Sequence, residues 1–338
     1  MRRTELDLCR IIGCLMVLVI HASSNIFYHV QMETWDFAFL SLAGTSVRAG
    51  VPIFFMLTGA LVLGREKLDI RSMLKKHVLH LGILFVVWSF AYTLIRALLS
   101  GGIGSGYDFV YSVVSGHYHM WFIPTMMFCY LFIPPAHAAI HGQKLDERYL
   151  LGLFFGLVLL TANMNLTPDT SPILYRITQH FTYLCLPYMG YVIWGWWLST
   201  KEMPKWMLWA APLGYLLCVI ATTGANLWYS FYKMTPDGWL FNYFSLPNFI
   251  QATALFCFCL SLKEHRFRCA KLITALADCT LGVYLMHPMM IALFEKLGLV
   301  ITSEAPVQTL ALLTAALAVS CFAVSFAAKR IPLIKRLF

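Results

Sequence analysis

Apolar stretches long enough to cross a bilayer recur along this chain, and no other feature narrows its fold as far. A spanning helix needs about 20 mostly apolar residues. Ten segments of that kind fall at 9–29, 45–63, 78–99, 119–140, 149–164, 178–199, 206–227, 244–262, 279–298 and 306–328. The fifth is short, and the eighth begins among the polar residues Asn242, Ser245 and Asn248. The expected fold is all-α: one polytopic membrane domain over residues 1–338 with about ten transmembrane helices. Composition agrees, since only 12% of the 338 residues are charged and 59% are hydrophobic, against about 25% charged in soluble domains. Mean hydropathy is +0.70.

Charge sets the orientation. With a cytoplasmic N-terminus, 20 of the 25 Lys and Arg residues fall in inside links, the five exceptions being Arg48, Arg96, Arg176, Lys233 and Lys296. That bias places both termini in the cytoplasm and fits an even number of spans. Trp194, Trp196 and Trp197, just before Lys201, read as an inner aromatic belt. The net charge of +9 thus has a topological explanation, and no nucleic-acid partner is expected. Met1-Arg2-Arg3, an apolar run and Ala22-Ser23-Ser24 resemble a signal peptide. Glu5, Asp7 and Arg10 make a poor start for one, so a retained first helix is expected. The ten cysteines are scattered; they read as small packing residues, with neither disulfides nor a metal site expected.

Ionisable groups inside apolar segments are costly and point to sites. Arg10 and His21 lie eleven residues apart in the first segment, so they share a helix face about 16 Å apart along the axis. His21 fits either a general base for a hydroxyl or an interhelical hydrogen-bonding group. Arg10 fits an anion site at the cytoplasmic mouth or a topological charge paired with Asp7. Arg48 opens the second segment ahead of Gly50, Pro52 and Gly59, a pattern that permits a bent helix and close approach of a neighbour. The link 64–77 interleaves Arg65, Lys67, Arg71, Lys75 and Lys76 with apolar residues. It reads as an amphipathic helix on the inner surface, able to meet lipid headgroups or a phosphorylated cosubstrate. His117, His119 and Trp121 open the fourth span, and Tyr284 and His287 lie on the ninth, with Pro288 next. Acidic residues are scarce in the spans, where Asp278 and Glu295 lie near opposite ends of the ninth. That counts against a carboxylate relay of the kind proton and cation transporters use and against a glycosidase pair.

Taken in order, these motifs resemble the acyltransferase 3 family of membrane acyltransferases. They are Asp7-x-x-Arg10, Arg10-x10-His21, Arg48-x-x-Val51-Pro52-x-Phe54-Phe55-x-x-Thr58-Gly59, His119-x-Trp121-Phe122 and Gly282-x-Tyr284-x-x-His287. The chain departs from the family's pattern at Ile11, where Gly is frequent, and at Thr58-Gly59-Ala60, where Ser-Gly-Phe or Ser-Gly-Tyr is frequent. The extra-cytoplasmic hydrolase-like domain of some members is not expected here. The resemblance implies a bacterial inner-membrane O-acetyltransferase with acetyl-CoA as cosubstrate and an envelope glycan or lipid-linked sugar as acceptor. It implies His21 as catalytic base, Arg10 as its essential partner and Arg48 as a site arginine, with Arg65, His119, Trp121, Tyr284 and His287 in substrate binding. A transporter or flippase of a lipid-linked or anionic solute, and an N-acyltransferase for amino sugars, are the alternatives.

Overall fold

The computed structural model describes residues 2–24, 26–100, 102, 104–142, 144, 149, 185–299, 305–332 and 334–338. Every regular element among them is helical. Helix α1 spans Thr4–Ser23, α2 Trp35–Ser46 and α3 Gly50–Thr58, which continues as a π-turn over Gly59–Leu63. Helix α4, Ile70–Met73, passes through a second π-turn, Leu74–Leu79, into α5, His80–Ser100. Then come α6 (Gly106–Ser115), α7 (Phe122–His141) and α8 (Cys185–Ser199). The last four are α9 (Met207–Lys233), α10 (Leu246–Ser261), α11 (Ala270–Lys296) and α12 (Pro306–Ala328).

Among the described residues, seven helical stretches are long and apolar enough to cross a membrane: Thr4–Ser23, Trp35–Leu63, Ile70–Leu99, Phe122–His141, Met207–Lys233, Ala270–Lys296 and Pro306–Ala328. The chain is therefore a multi-pass membrane protein. The expected eighth span appears as α10, apolar but only 16 residues long. The expected span 149–164 lies outside the described residues except for Tyr149, and the span 178–199 is described only from Cys185.

Three boundaries differ from expectation. The second span starts at Trp35 rather than 45, because the Thr34 hydroxyl caps the helix by accepting from the Phe37 N–H at 3.4 Å and Asp36 sits in the first turn. The basic link is not a separate surface helix over 64–77. Asp69 caps Ser72 at 3.2 Å, and from Ile70 the chain runs on into α5. The ninth span starts at Ala270 rather than 279, so Asp278 lies within the helix, where Arg2 pairs with it at 2.7 Å.

The chain divides into two compact units, Met1–Leu57 with Lys201–Phe338, and Thr58–Thr200. In the first unit, α1 packs on α2, α10, α11 and α12. Lipid tails are as apolar as leucine, so such packing depends on small residues that let backbones approach. Gly50 supplies this between α3 and α1: a Cβ there would stand 2.7 Å from the Met16 Cβ. Cys9 and Cys14 on α1, Cys259 on α10, Cys279 on α11 and Cys321 on α12 are buried small side chains in the same bundle. In the second unit, α7 and the Gly59–Leu63 turn both pack on α8, and α5 packs on α6 and α7.

Candidate functional site

Helices α1 and α11 run parallel. Thr274 Oγ1 donates to Asp7 Oδ2 at 3.5 Å, Cys14 Sγ lies 3.8 Å from the Thr280 carbonyl, and the His21 and His287 rings meet with centroids 4.7 Å apart. Asp7, Cys14 and His21 recur every seven residues, the spacing that keeps one face of a helix against a partner. The seam therefore aims His21 at α11, and His287, its neighbour there, is fully buried.

Pro288 explains the state of His287. A proline inside a helix lacks the N–H that would reach the carbonyl four residues back, which here is Tyr284. His287 Nδ1 lies 2.7 Å from that same carbonyl. The imidazole thus donates through Nδ1 in place of the missing backbone donor. This fixes the tautomer and leaves Nε2 as the nitrogen with the basic lone pair.

The other end of the seam is ionic. Arg2 grips buried Asp7 at 2.6 Å and reaches Asp278 on α11 at 2.7 Å, while Arg10 stands 3.7 Å from Asp7. The Asp7–Arg10 pair anticipated from spacing exists, but Arg2 is the closer partner. Arg10 keeps 28% of its side chain exposed and is only partly neutralised.

Arg48 occupies the break between α2 and α3. Its guanidinium lies 4.1 Å over the Phe241 ring, a cation–π contact, and hydrogen-bonds the Tyr243 side chain. Among the described residues its Nε is buried without a hydrogen-bond partner. The arginine does not snorkel outward; the break turns it into the unit.

Arg10, His21, Arg48, Tyr284 and His287 thus share the first unit, whereas Arg65, His119 and Trp121 belong to the second. There the Arg65 carbonyl meets His137 Nε2 at 2.6 Å near the end of α7. His119 meets His117, Nδ1 to Nδ1, at 2.9 Å at its start, and the Trp121 ring lies 5.8 Å from that of Tyr188. His119 lies just before the start of α7 and His137 fifteen residues into it, about 22 Å of helix, so Arg65 and His119 do not share one cluster. Among the described residues no group of three or more His, Cys, Asp or Glu side chains is placed to hold a metal ion.

Residue spacing did not single out Arg2, Thr274, Phe241 or Tyr243. The readable signals were the seven-residue recurrence through Asp7 and His21 and the aromatic run Trp239, Phe241, Tyr243. The family comparison accords with this layout: a family described as an acyltransferase domain, acyltransferase 3, matches residues 3–330.

The chain belongs to the acyltransferase 3 family.

No curated protein and no solved structure matches this acyltransferase. The motif residues of the acyltransferase divide into two kinds. His21, His287 and Arg48 present polar atoms inside a helix bundle. Gly59 and Gly282 instead permit contact, since a Cβ at Gly59 would stand 1.8 Å from the Val192 carbonyl oxygen and one at Gly282 2.3 Å from Ser325 Oγ.

Proposed function

We propose that this membrane acyltransferase is an O-acetyltransferase of the bacterial inner membrane, its two units forming one domain. Acetyl would move from cytoplasmic acetyl-CoA to a hydroxyl of an envelope glycan or lipid-linked sugar. The observation that carries the reading is the His21–His287 ring pair, at the end of a seam whose other end holds Arg10. Arg10 offers a cation to the phosphates of the cosubstrate. His21 takes the proton of the acceptor hydroxyl as its oxygen attacks the thioester carbonyl. The C–S bond breaks, and the departing thiolate recovers that proton from His21. His287, its Nδ1 hydrogen committed to the Tyr284 carbonyl, orients a hydroxyl or His21 through Nε2. In this reading Arg48 receives charge developing on oxygen. In a two-step variant, His21 carries the acetyl group between donor and acceptor, with ping-pong kinetics.

The test is label transfer from radioactive acetyl-CoA to the glycan fraction of membranes containing the protein, with mass spectrometry for the added acetyl. His21→Ala abolishes transfer while insertion persists, and Arg10→Ala raises the acetyl-CoA requirement more than that for acceptor. Full transfer by His21→Ala removes the imidazole from the mechanism. An ester product separates the reaction from amide formation on an amino sugar.

A further inference from the structure

The second unit carries an open groove of about 860 Å³. It is lined by the helix that starts at Ile70 and runs through the π-turn into α5, and by Met127 of α7. Two of the ten lining residues are cations, Arg71 and Lys75. Both are exposed, and at four residues apart they lie one above the other at the start of the groove. The other eight are apolar or glycine, and none is acidic. Among the described residues neither cation enters an ion pair.

The dimensions are those of one leaflet. Val78 to Val87 is nine residue steps, about 14 Å of helix, against about 15 Å for half of a bilayer's hydrocarbon core. Lys75 and Arg71 follow at about 5 and 10 Å beyond Val78, at the depth of the headgroups. The lining pairs recur every four residues, from Leu74–Lys75 to Val86–Val87. In an α-helix a four-residue step overshoots the turn by about 40°, which would carry the cations away from the apolar run. The wider π-turn over Leu74–Leu79 takes up part of that drift. Gly82 lies midway along the groove, where a Cβ would stand 3.4 Å from Met127 Cε. Glycine inside a helix is less stable than alanine, so the open space here is kept at a cost.

We propose that this groove binds an anionic phospholipid, one acyl chain laid along Val78–Val87 and the phosphate held by Arg71 and Lys75. A free phosphate would leave the apolar length unused, and a neutral tail would leave two cations unmatched. An anionic head on an acyl chain answers both. By the positive-inside bias, the lipid comes from the cytoplasmic leaflet. The site goes beyond acyl transfer, and its occupancy is measured with no cosubstrate present.

The experiment is native mass spectrometry of the detergent-solubilised protein titrated with dioleoyl phosphatidylglycerol or dioleoyl phosphatidylcholine, which share their tails and differ in net charge. Wild type holds phosphatidylglycerol at least about tenfold more tightly, the scale expected of two cations on one phosphate. Arg71→Gln combined with Lys75→Gln removes that preference. Lys67→Gln combined with Lys76→Gln makes the same change in net charge at exposed neighbours outside the groove, and keeps it. Gly82→Leu fills the groove at mid-length and loses the tightly held lipid with both cations in place. The paired substitutions are at exposed positions and carry the test by themselves if Gly82→Leu fails to insert. Equal losses in the two charge pairs overturn the site, since they would mean diffuse attraction of anionic lipid. So does unchanged binding in an inserted Gly82→Leu, which would put the chain elsewhere. A wild type that holds both lipids equally, or neither, overturns it as well. Displacement of phosphatidylglycerol by coenzyme A would assign the two cations to the cosubstrate and overturn the lipid as occupant.

Discussion

The bond between His287 and the Tyr284 carbonyl exists because Pro288 supplies no N–H, which ties a helix defect to the protonation pattern of an imidazole. Pro288→Ala restores the backbone donor and sets it in competition with Nδ1 for one carbonyl. The helix gains, since an interior proline costs up to about 3 kcal/mol, while His287 loses its fixed tautomer. The expected result is a higher unfolding temperature together with a transfer rate about tenfold lower, the ~1.4 kcal/mol scale of one orienting hydrogen bond. A rate that rises with stability would mean the tautomer is irrelevant. A second imidazole offers a test by pH. His117 stacks on Tyr92 at 4.3 Å and shares a proton with His119 at 2.9 Å. Burial, with Arg96 nearby, pushes its pKa down from 6.5 to about 4. The unfolded chain takes up this proton near pH 6.5 and the folded one only near 4, so the unfolded state binds more protons in between. Stability therefore falls as pH drops through that window, and His117→Gln flattens the fall. Unfolding temperatures from pH 7 to 4 measure both.

At the scale of the element, what was legible followed from local chemistry. Gly50, Pro52 and Gly59 permit a bend within 45–63, whereas the break falls just before Gly50; apolar length foretold α1, α7, α9 and α12. The start of α2 was signalled by Thr34 and Asp36 but masked by the polar–aromatic mixture around them. The ring pair of His21 and His287 was not legible, because contact between helices distant in sequence depends on packing that no local pattern records. Nor could spacing reveal that Gly59 and Gly282 serve contact rather than chemistry. Gly59 gives the sharper test, since its would-be Cβ meets backbone, which cannot rotate away. Gly59→Ala should destabilise by at least the 1–3 kcal/mol typical of overpacking. Gly190→Ala, on α8 with nothing within 4 Å, should be neutral or gain up to about 1 kcal/mol from helix propensity. Denaturation midpoints of the two substituted proteins in detergent decide, and equal effects would refute the close contact between the π-turn and α8.

For the whole molecule, the two ends of the chain meet at one residue. Arg2, just before α1, pairs with the Asp278 carboxylate, and Lys329, just after α12, donates to the Asp278 carbonyl. Segments that share a partner at one end of a helix bundle are expected to emerge on one side of the bilayer, and the prediction is then an even number of crossings. The positive-inside bias then predicts that side to be the cytoplasm. Pairing also explains why the acidic residue is tolerated inside α11: Arg2 supplies the opposite charge that an isolated carboxylate near the hydrocarbon would lack. Fluorescent-protein tags placed before Met1 or after Phe338 should both mature and fluoresce, as they do only in the cytoplasm, and thiol reagents that cannot cross the membrane should label neither end in intact cells. Asp278→Asn should leave both tags fluorescent, since charge bias sets orientation, but lower the unfolding temperature by removing the carboxylate that Arg2 grips. Opposite tag readings at the two ends would break the link between this junction and an even number of crossings.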